Sequence, residues 1–116
     1  MIISTDPVDW VVRPDPLLNV AKGYGLIIVG ESMMPAFRPG DIALINPHLP
    51  PLRDETCIFY AGHEGDMRAT IKHLVRWTDA AWIVQQWNPP KGQRKEFSLP
   101  KKEWTKIHRV VGRYLR

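Results

Sequence analysis

The sequence has little of what several common classes of protein require. Its single cysteine, Cys57, excludes an internal disulfide and fits a reducing compartment. No apolar run approaches the roughly 20 residues that a membrane-spanning helix needs. The N-terminus has no basic segment followed by an apolar stretch, which a signal peptide requires. We therefore expect a cytoplasmic protein with no membrane partner.

Motifs for metals and cofactors are also missing. The four histidines have neither His-x-His spacing nor a nearby Cys-x-x-Cys pair; they are His48, His63, His73 and His108. Gly23-Tyr24-Gly25 is too short for a phosphate-binding loop and precedes no helical pattern. The sequence therefore predicts no metal site and no cofactor.

The residues that are present predict an all-β fold. The 116 residues, 44% of them hydrophobic, suffice for one core, and eleven prolines and eight glycines indicate many turns. We expect a compact domain over residues 22–116, built of short antiparallel strands in a barrel-like, multi-sheet arrangement. Residues 1–21 are interpreted as a linker or N-terminal arm. The predicted strands are Leu26–Val29, Ile42–Ile45, Cys57–Tyr60, Arg68–Trp77, Ala81–Trp87, Glu96–Leu99 and Lys106–Leu115.

Ser32 is the candidate nucleophile. It follows the apolar run that ends at Gly30, in Gly-Glu-Ser-Met-Met-Pro, where the backbone must turn. Gly30 permits unusual dihedrals and Pro35 biases Met34 toward extended geometry. The amides near Ser32 are therefore candidates for a fixed array that stabilises an oxyanion. A serine after a strand is nevertheless more often an ordinary turn residue.

Lys72 is the candidate base for that serine. A serine hydroxyl is a poor nucleophile until a neighbouring group takes its proton. Lysine at its ordinary pKa of about 10.4 is charged at pH 7, but burial in hydrocarbon lowers the pKa of a lysine and leaves a neutral amine. Lys72 has mostly apolar neighbours in Ala-Thr-Ile-Lys-His-Leu-Val. In a strand, alternate side chains share a face, so one face carries Thr70, Lys72, Leu74 and Arg76. The sequence alone does not decide whether this face is buried or exposed to solvent.

These residues resemble a known family, the C-terminal peptidase domain of LexA and of prophage repressors. The resemblance covers the chain from about Val12 to the C-terminus. It rests on Val29 to Pro35, Phe37 to Asp41, Ile71 to Leu74, and His108 to Gly112. In that family the serine of the Gly-(Asp/Glu)-Ser-Met motif is the nucleophile and the later strand lysine is its base. The resemblance assigns those roles here to Ser32 and Lys72.

The resemblance also implies a homodimer and a biological role. It implies self-cleavage of a peptide bond that joins this domain to an N-terminal helix-turn-helix domain, which binds operator DNA. In typical members RecA filaments stimulate the cleavage in the SOS response. We assign the oxyanion amides to Ser32 and Met33, and a substrate pocket to Met34 and Pro35.

The chain departs from the family pattern at two places. Family members usually cut themselves at an Ala-Gly or Cys-Gly bond upstream of the serine, and the only such dipeptide here, Ala61-Gly62, lies downstream. The first thirty residues also show no sustained helical period, so we interpret the chain as the C-terminal part of a longer repressor. Where members commonly have Gly-Asp after a proline-rich turn, this chain has Asp54-Glu55, which puts the turn geometry in question.

Three alternative functions remain. An accessory subunit of a translesion DNA polymerase, like UmuD, belongs to the same family. A non-catalytic nucleic-acid-binding domain would use the net charge of +4 and the basic residues of the last quarter, which lie beside Trp87, Trp104 and Tyr114. Cys57 with His73 would form a thiol dyad, although a lone strand cysteine usually packs in a core.

Overall fold

The computed structural model describes residues 22–63 and 65–114. In this part of the chain every regular element is a strand, and no helix is long and apolar enough to cross a membrane. The arm predicted for residues 1–21 lies outside the described residues. The strands are β1 (Tyr24–Ile27), β2 (Ile42–Asn46), β3 (Glu55–Ala61), β4 (Arg68–Trp77), β5 (Ala81–Gln85), β6 (Glu96–Pro100) and β7 (Lys106–Tyr114).

The seven strands form one sheet in the order β1-β2-β7-β3-β4-β5-β6, and every neighbouring pair is antiparallel. The all-β class predicted from the sequence is confirmed. The sheet does not close, because β1 and β6 are its two ends in the described residues. The first strand, β1, lies at one edge of the sheet. The last strand, β7, lies between β2 and β3, close to the middle of the sheet.

Both faces of the sheet are buried because the central strands are apolar on both sides. On β3, Ile58 and Tyr60 belong to the first-face cluster, whereas Cys57, Phe59 and Ala61 belong to the second-face cluster. The first-face cluster is Leu26, Ile28, Met33, Phe37, Ala43, Ile45, Ile58, Tyr60, Ala69, Ile71 and Val110. The second-face cluster is Cys57, Phe59, Ala61, Leu74, Val84, Leu99 and Trp104. Alternate side chains of one short apolar run in β3 therefore pack in two different hydrophobic clusters.

The turn before β3 contains a residue in the left-handed conformation that is not a glycine. Asp54 has φ of 64°, a conformation that aspartate tolerates better than most side chains. Its backbone N–H donates to the carbonyl oxygen of Leu74 at 2.7 Å. Asp54, which stands where family members commonly have glycine, therefore adopts a backbone conformation that glycine would also adopt.

A partly buried hydrogen-bonded chain of side chains joins β1, β3 and β7. The hydroxyl of Tyr24 contacts the hydroxyl of Tyr60 and lies 2.6 Å from Nδ1 of His108. Burial raises the pKa of Tyr24 to about 12 and also raises the pKa of Tyr60. Both phenols are therefore protonated near neutral pH.

We expect this chain of side chains to make stability depend on pH. Burial lowers the pKa of His108, and the charges of Lys106 and His48 lower it further. The folded protein therefore binds this proton less readily than the unfolded chain, whose histidine pKa is about 6.5. The contribution is present above that pH and is lost as the pH falls below it. The melting temperature, measured between pH 7.5 and pH 5, should fall more steeply for the wild type than for His108→Gln.

The control for this prediction is His63→Gln, which changes an exposed histidine in the loop after β3. This variant should follow the wild-type curve. Parallel curves for the wild type and His108→Gln would show that His108 does not couple stability to pH.

Candidate active site

Ser32 lies on a tight loop between β1 and β2. The N–H of Met34 donates to the carbonyl oxygen of Glu31 at 3.1 Å, and that of Phe37 donates to the carbonyl oxygen of Met33 at 2.9 Å. Met33 is fully buried and Phe37 is 8% exposed, so apolar side chains anchor the loop in the first-face cluster. The Met34–Pro35 peptide bond is cis. The loop thus holds Ser32 between exposed Glu31 and buried Met33.

The two ends of the loop are tied together by backbone and carboxylate contacts. The N–H of Ile28 donates to Asp41 O at 2.8 Å and the N–H of Gly40 donates to Ile28 O at 2.6 Å. Gly40 has φ of 92°, a left-handed conformation that favours glycine. The buried carboxylate of Asp41 accepts from the N–H of Arg38 at 2.9 Å and lies 3.6 Å from Nη1 of Arg113. The Arg-Pro-Gly-Asp segment therefore closes the loop that carries Ser32.

Lys72 lies on the second face of β4, and this face is buried. Thr70, Lys72 and Leu74 are 3%, 2% and 0% exposed. The register of β4 against β5 shifts between Leu74 and Arg76, and Arg76 is exposed. The face whose burial the sequence did not decide is therefore buried from Thr70 to Leu74. An ammonium in such a place is disfavoured by desolvation.

The structure brings the two predicted catalytic side chains into contact. Nζ of Lys72 lies 3.0 Å from Oγ of Ser32, although 40 positions separate them in the sequence. Nζ also donates to the carbonyl oxygen of Ile71 at 3.0 Å, and Ser32 is 7% exposed. A hydrogen bond of this length lets a proton pass from the hydroxyl to a neutral amine.

A cavity of about 340 Å³ opens beside this pair. One wall is apolar and comes from β6 and the turn that follows it, with Phe97, Leu99 and Trp104. Polar groups come from Thr70, Gln86 and Gln93, and Pro90 completes the lining. The cavity can therefore receive an apolar side chain next to Ser32.

The predicted substrate-pocket residues, Met34 and Pro35, follow Ser32 on the same loop. Pro35 lines a second, open groove with Ala36, Trp87 and Arg113, and Met34 is half-buried. Neither residue lines the cavity that contains Ser32 and Lys72. Their assignment to the substrate pocket stays a prediction.

The thiol alternative does not fit the geometry of β3 and β4. Cys57 pairs with Lys72 and Thr56 pairs with His73, so adjacent register positions place the Cys57 and His73 side chains on opposite faces. Burial raises the pKa of the Cys57 thiol to about 12, although the charge of Arg109 lowers it. The thiolate that such chemistry needs is therefore disfavoured.

Several basic side chains lie over tryptophan rings. Arg68 lies 5.5 Å from the centre of the Trp104 ring, Lys95 lies 5.7 Å from that of Trp87, and Lys101 lies 4.4 Å from that of Trp82. Trp104 is 7% exposed and belongs to the second-face cluster. Buried Trp104 cannot stack on a nucleic-acid base, which weakens the nucleic-acid-binding alternative.

Sequence reasoning missed the loop after β5. Gln86 is 2% exposed, and its Nε2 donates to the carbonyl oxygen of Arg94 at 2.7 Å. Asn88 contacts the Ser32 loop through two hydrogen bonds. The only sequence signal was the Asn88-Pro89-Pro90 break, which indicates a turn but not its neighbours. Among the described residues no group of three or more His, Cys, Asp or Glu side chains is placed to hold a metal.

Comparisons with known proteins identify similar sequences. A family model described as Peptidase S24-like matches residues 8–111. Repressor protein C of Rhizobium phage 16-3 is 32% identical over an alignment 120 positions long, which covers 97% of this chain and 44% of that protein. The chain thus spans less than half the length of this curated relative. No solved structure gives a significant match.

Proposed function

Because the chain belongs to the Peptidase S24-like family, we propose that it is the self-cleaving peptidase domain of a phage-type or SOS-type repressor, with Ser32 as nucleophile and Lys72 as base. The observation that carries the proposal is the 3.0 Å contact between Nζ of Lys72 and Oγ of Ser32. Both groups are buried and both border one cavity. A structural hydrogen bond alone does not explain why a lysine is buried beside an accessible cavity.

The reaction begins with neutral Lys72. Its amine takes the proton of Ser32 Oγ, and the alkoxide attacks the carbonyl carbon of the scissile peptide. The amides of Ser32 and Met33 donate to the oxyanion. The Lys72 ammonium then gives its proton to the leaving nitrogen, the C–N bond breaks, and an acyl-enzyme remains. Lys72 next takes a proton from water, which attacks the ester carbonyl carbon. The ester C–O bond then breaks, and the Lys72 ammonium returns the proton to Ser32 Oγ.

The substrate in this proposal is a segment of the same polypeptide. The cavity beside Ser32 is too small for a folded domain and suits one side chain of an extended peptide. A small residue before glycine at the scissile bond lets the backbone approach Ser32 closely. Because the segment is attached covalently, proximity replaces tight binding, and docking of the segment controls the rate.

The family and the relative that is a phage repressor support a wider role, which is part of the proposal. In the proposal the intact protein is a homodimer that binds operator DNA through an N-terminal helix-turn-helix domain. Cleavage separates that domain from this one and ends repression, and a RecA filament favours the docked state. The UmuD-like alternative uses the same Ser-Lys chemistry and differs in its partner, a translesion DNA polymerase.

A fluorophosphonate probe tests the proposal on the chain itself. Attack by Ser32 on phosphorus expels fluoride and leaves a stable adduct, which intact and peptide mass spectrometry locate. We expect one adduct, on Ser32, and none on Ser32→Ala. Since only the neutral amine accepts the proton, the labelling rate should rise about tenfold per pH unit from neutral pH until the neutral amine predominates.

Two outcomes would contradict the proposal. Labelling of Ser32→Ala to the wild-type extent would place the nucleophile elsewhere. A rate that stays flat between pH 7 and strongly alkaline pH would exclude a lysine base, even if Ser32 is the labelled residue.

A further inference from the structure

Asn88 is hydrogen-bonded to two consecutive carbonyl groups of the Ser32 loop. Its backbone N–H donates to the carbonyl oxygen of Ser32 at 2.8 Å. Its side-chain Nδ2 donates to the carbonyl oxygen of Glu31 at 3.1 Å. These contacts connect the segment after β5 to the nucleophile loop across 57 positions of sequence.

Each of these carbonyls shares a rigid peptide plane with a candidate oxyanion donor. Glu31 C=O lies in the plane of Ser32 N–H, and Ser32 C=O lies in the plane of Met33 N–H. Among the described residues the one cis bond is Met34–Pro35, so both of these planes are trans. In a trans plane the C=O and the N–H point in opposite directions. Fixing the two carbonyl oxygens therefore fixes the directions of the two N–H groups.

The residues around Asn88 give it a fixed position of its own. Two prolines follow it, and the first restricts the Asn88 backbone to extended conformations. On the other side, the N–H of Gln86 donates to the carbonyl oxygen of Lys95 at 2.8 Å. The side chain of Gln86 holds the same returning segment through Arg94. Asn88 thus extends from an anchored strand end and not from a free loop tip.

We propose that Asn88 is a positioning residue that orients the amides of Ser32 and Met33 toward the oxyanion. The proposal rests on the proposed peptidase function and adds a residue that acts without touching the substrate. The Glu31 carbonyl also accepts from Met34 N–H at 3.1 Å. Loss of the Asn88 side chain therefore loosens one of the two planes without releasing it. A full oxyanion donor contributes about 10²- to 10³-fold, so we expect about a tenfold effect from Asn88→Ala.

The test measures the rate of fluorophosphonate labelling in the whole 116-residue chain. Asn88→Ala should react about tenfold more slowly than the wild type, and Asn88→Gln, which keeps an amide donor, should recover most of the rate. Asn46→Ala is the matched control. Its side chain also bonds a backbone group, accepting from His48 N–H at 3.0 Å, but it lies at the end of β2. This control should label at the wild-type rate.

A spectroscopic readout separates positioning from general loosening of the fold. In the wild-type adduct the phosphonyl oxygen occupies the oxyanion position, so the amide protons of Ser32 and Met33 should move downfield in ¹H–¹⁵N spectra. In the Asn88→Ala adduct the shift of the Ser32 amide should be much smaller, while resonances on β7 stay unchanged.

Several results would overturn the inference. They are an Asn88→Ala rate within about twofold of wild type, an equal slowing of Asn46→Ala, or unshifted Ser32 and Met33 amides in the wild-type adduct. The last result applies even if Asn88→Ala does not fold. If Ser32→Ala is labelled as well as the wild type, the peptidase function itself fails, which is a different outcome.

Discussion

Replacing Lys72 by methionine should reduce the rate of fluorophosphonate labelling of Ser32 by about 10³-fold or more. Methionine has nearly the length of lysine and fills the same space, but it has no group that accepts the Ser32 proton. Lys72 is 2% exposed, and exchanging a buried amine for an apolar group of similar volume is often neutral or stabilising. The variant should therefore be inactive and at least as stable as the wild type. Labelling kinetics and thermal unfolding, measured on the same samples, check both parts.

Lys102→Met is the control for this result. Lys102 lies in the exposed turn after β6, so the same substitution there should leave the labelling rate unchanged. A Lys72→Met protein that labels within about tenfold of the wild type would show that another group activates Ser32. An unfolded Lys72→Met protein would show instead that Lys72 has a structural role.

Replacing Leu74 by alanine should destabilise the domain by about 3 to 5 kcal/mol. Leu74 is fully buried in the second-face cluster, on the same face of β4 as Lys72. Alanine leaves a cavity there, and the antiparallel neighbours of β4 restrict collapse around it. The loss is a large share of the roughly 5 to 15 kcal/mol by which a domain of this kind is stable. Chemical denaturation should show a lower midpoint with an unchanged slope.

Leu52 supplies a matched control, since the same substitution can be made at a site that is 47% exposed. Leu52→Ala should change stability by less than about 0.5 kcal/mol. Similar effects at the two positions would mean that the second-face cluster does not stabilise the fold as its burial indicates. Lys72 would then lack the packed support that holds it beside Ser32.

Several strands were predictable because their ends carry strong local signals. β4 spans Arg68–Trp77, as the sequence predicted, because glycine-bearing and polar loops bound the run on both sides. β1 lies two positions earlier than expected, at Tyr24–Ile27. Residues Ile28 and Val29 belong to the loop instead, although the N–H of Ile28 still donates to the carbonyl oxygen of Asp41. Apolar composition identified this segment but not the position at which the strand ends.

The arrangement of strands was harder to predict than their existence. The sequence favoured several small sheets in a barrel-like form, whereas the described strands form one open sheet. β7 pairs with both β2 and β3. No local sequence pattern indicates that the last strand lies between two earlier strands. Such pairings between distant segments depend on which apolar faces can cover one another.

The sequence by itself determined the all-β class and named the candidate groups for the proposed chemistry, a serine at a strand-to-turn junction and a lysine among apolar neighbours. Those properties depend on residues close together in the chain. Only the tertiary structure decided that the Lys72 face is buried, that 3.0 Å separates the amine from the hydroxyl, and that Asn88 holds the Ser32 loop. Each of these facts joins segments some forty or more positions apart, so it depends on strand pairing and core packing.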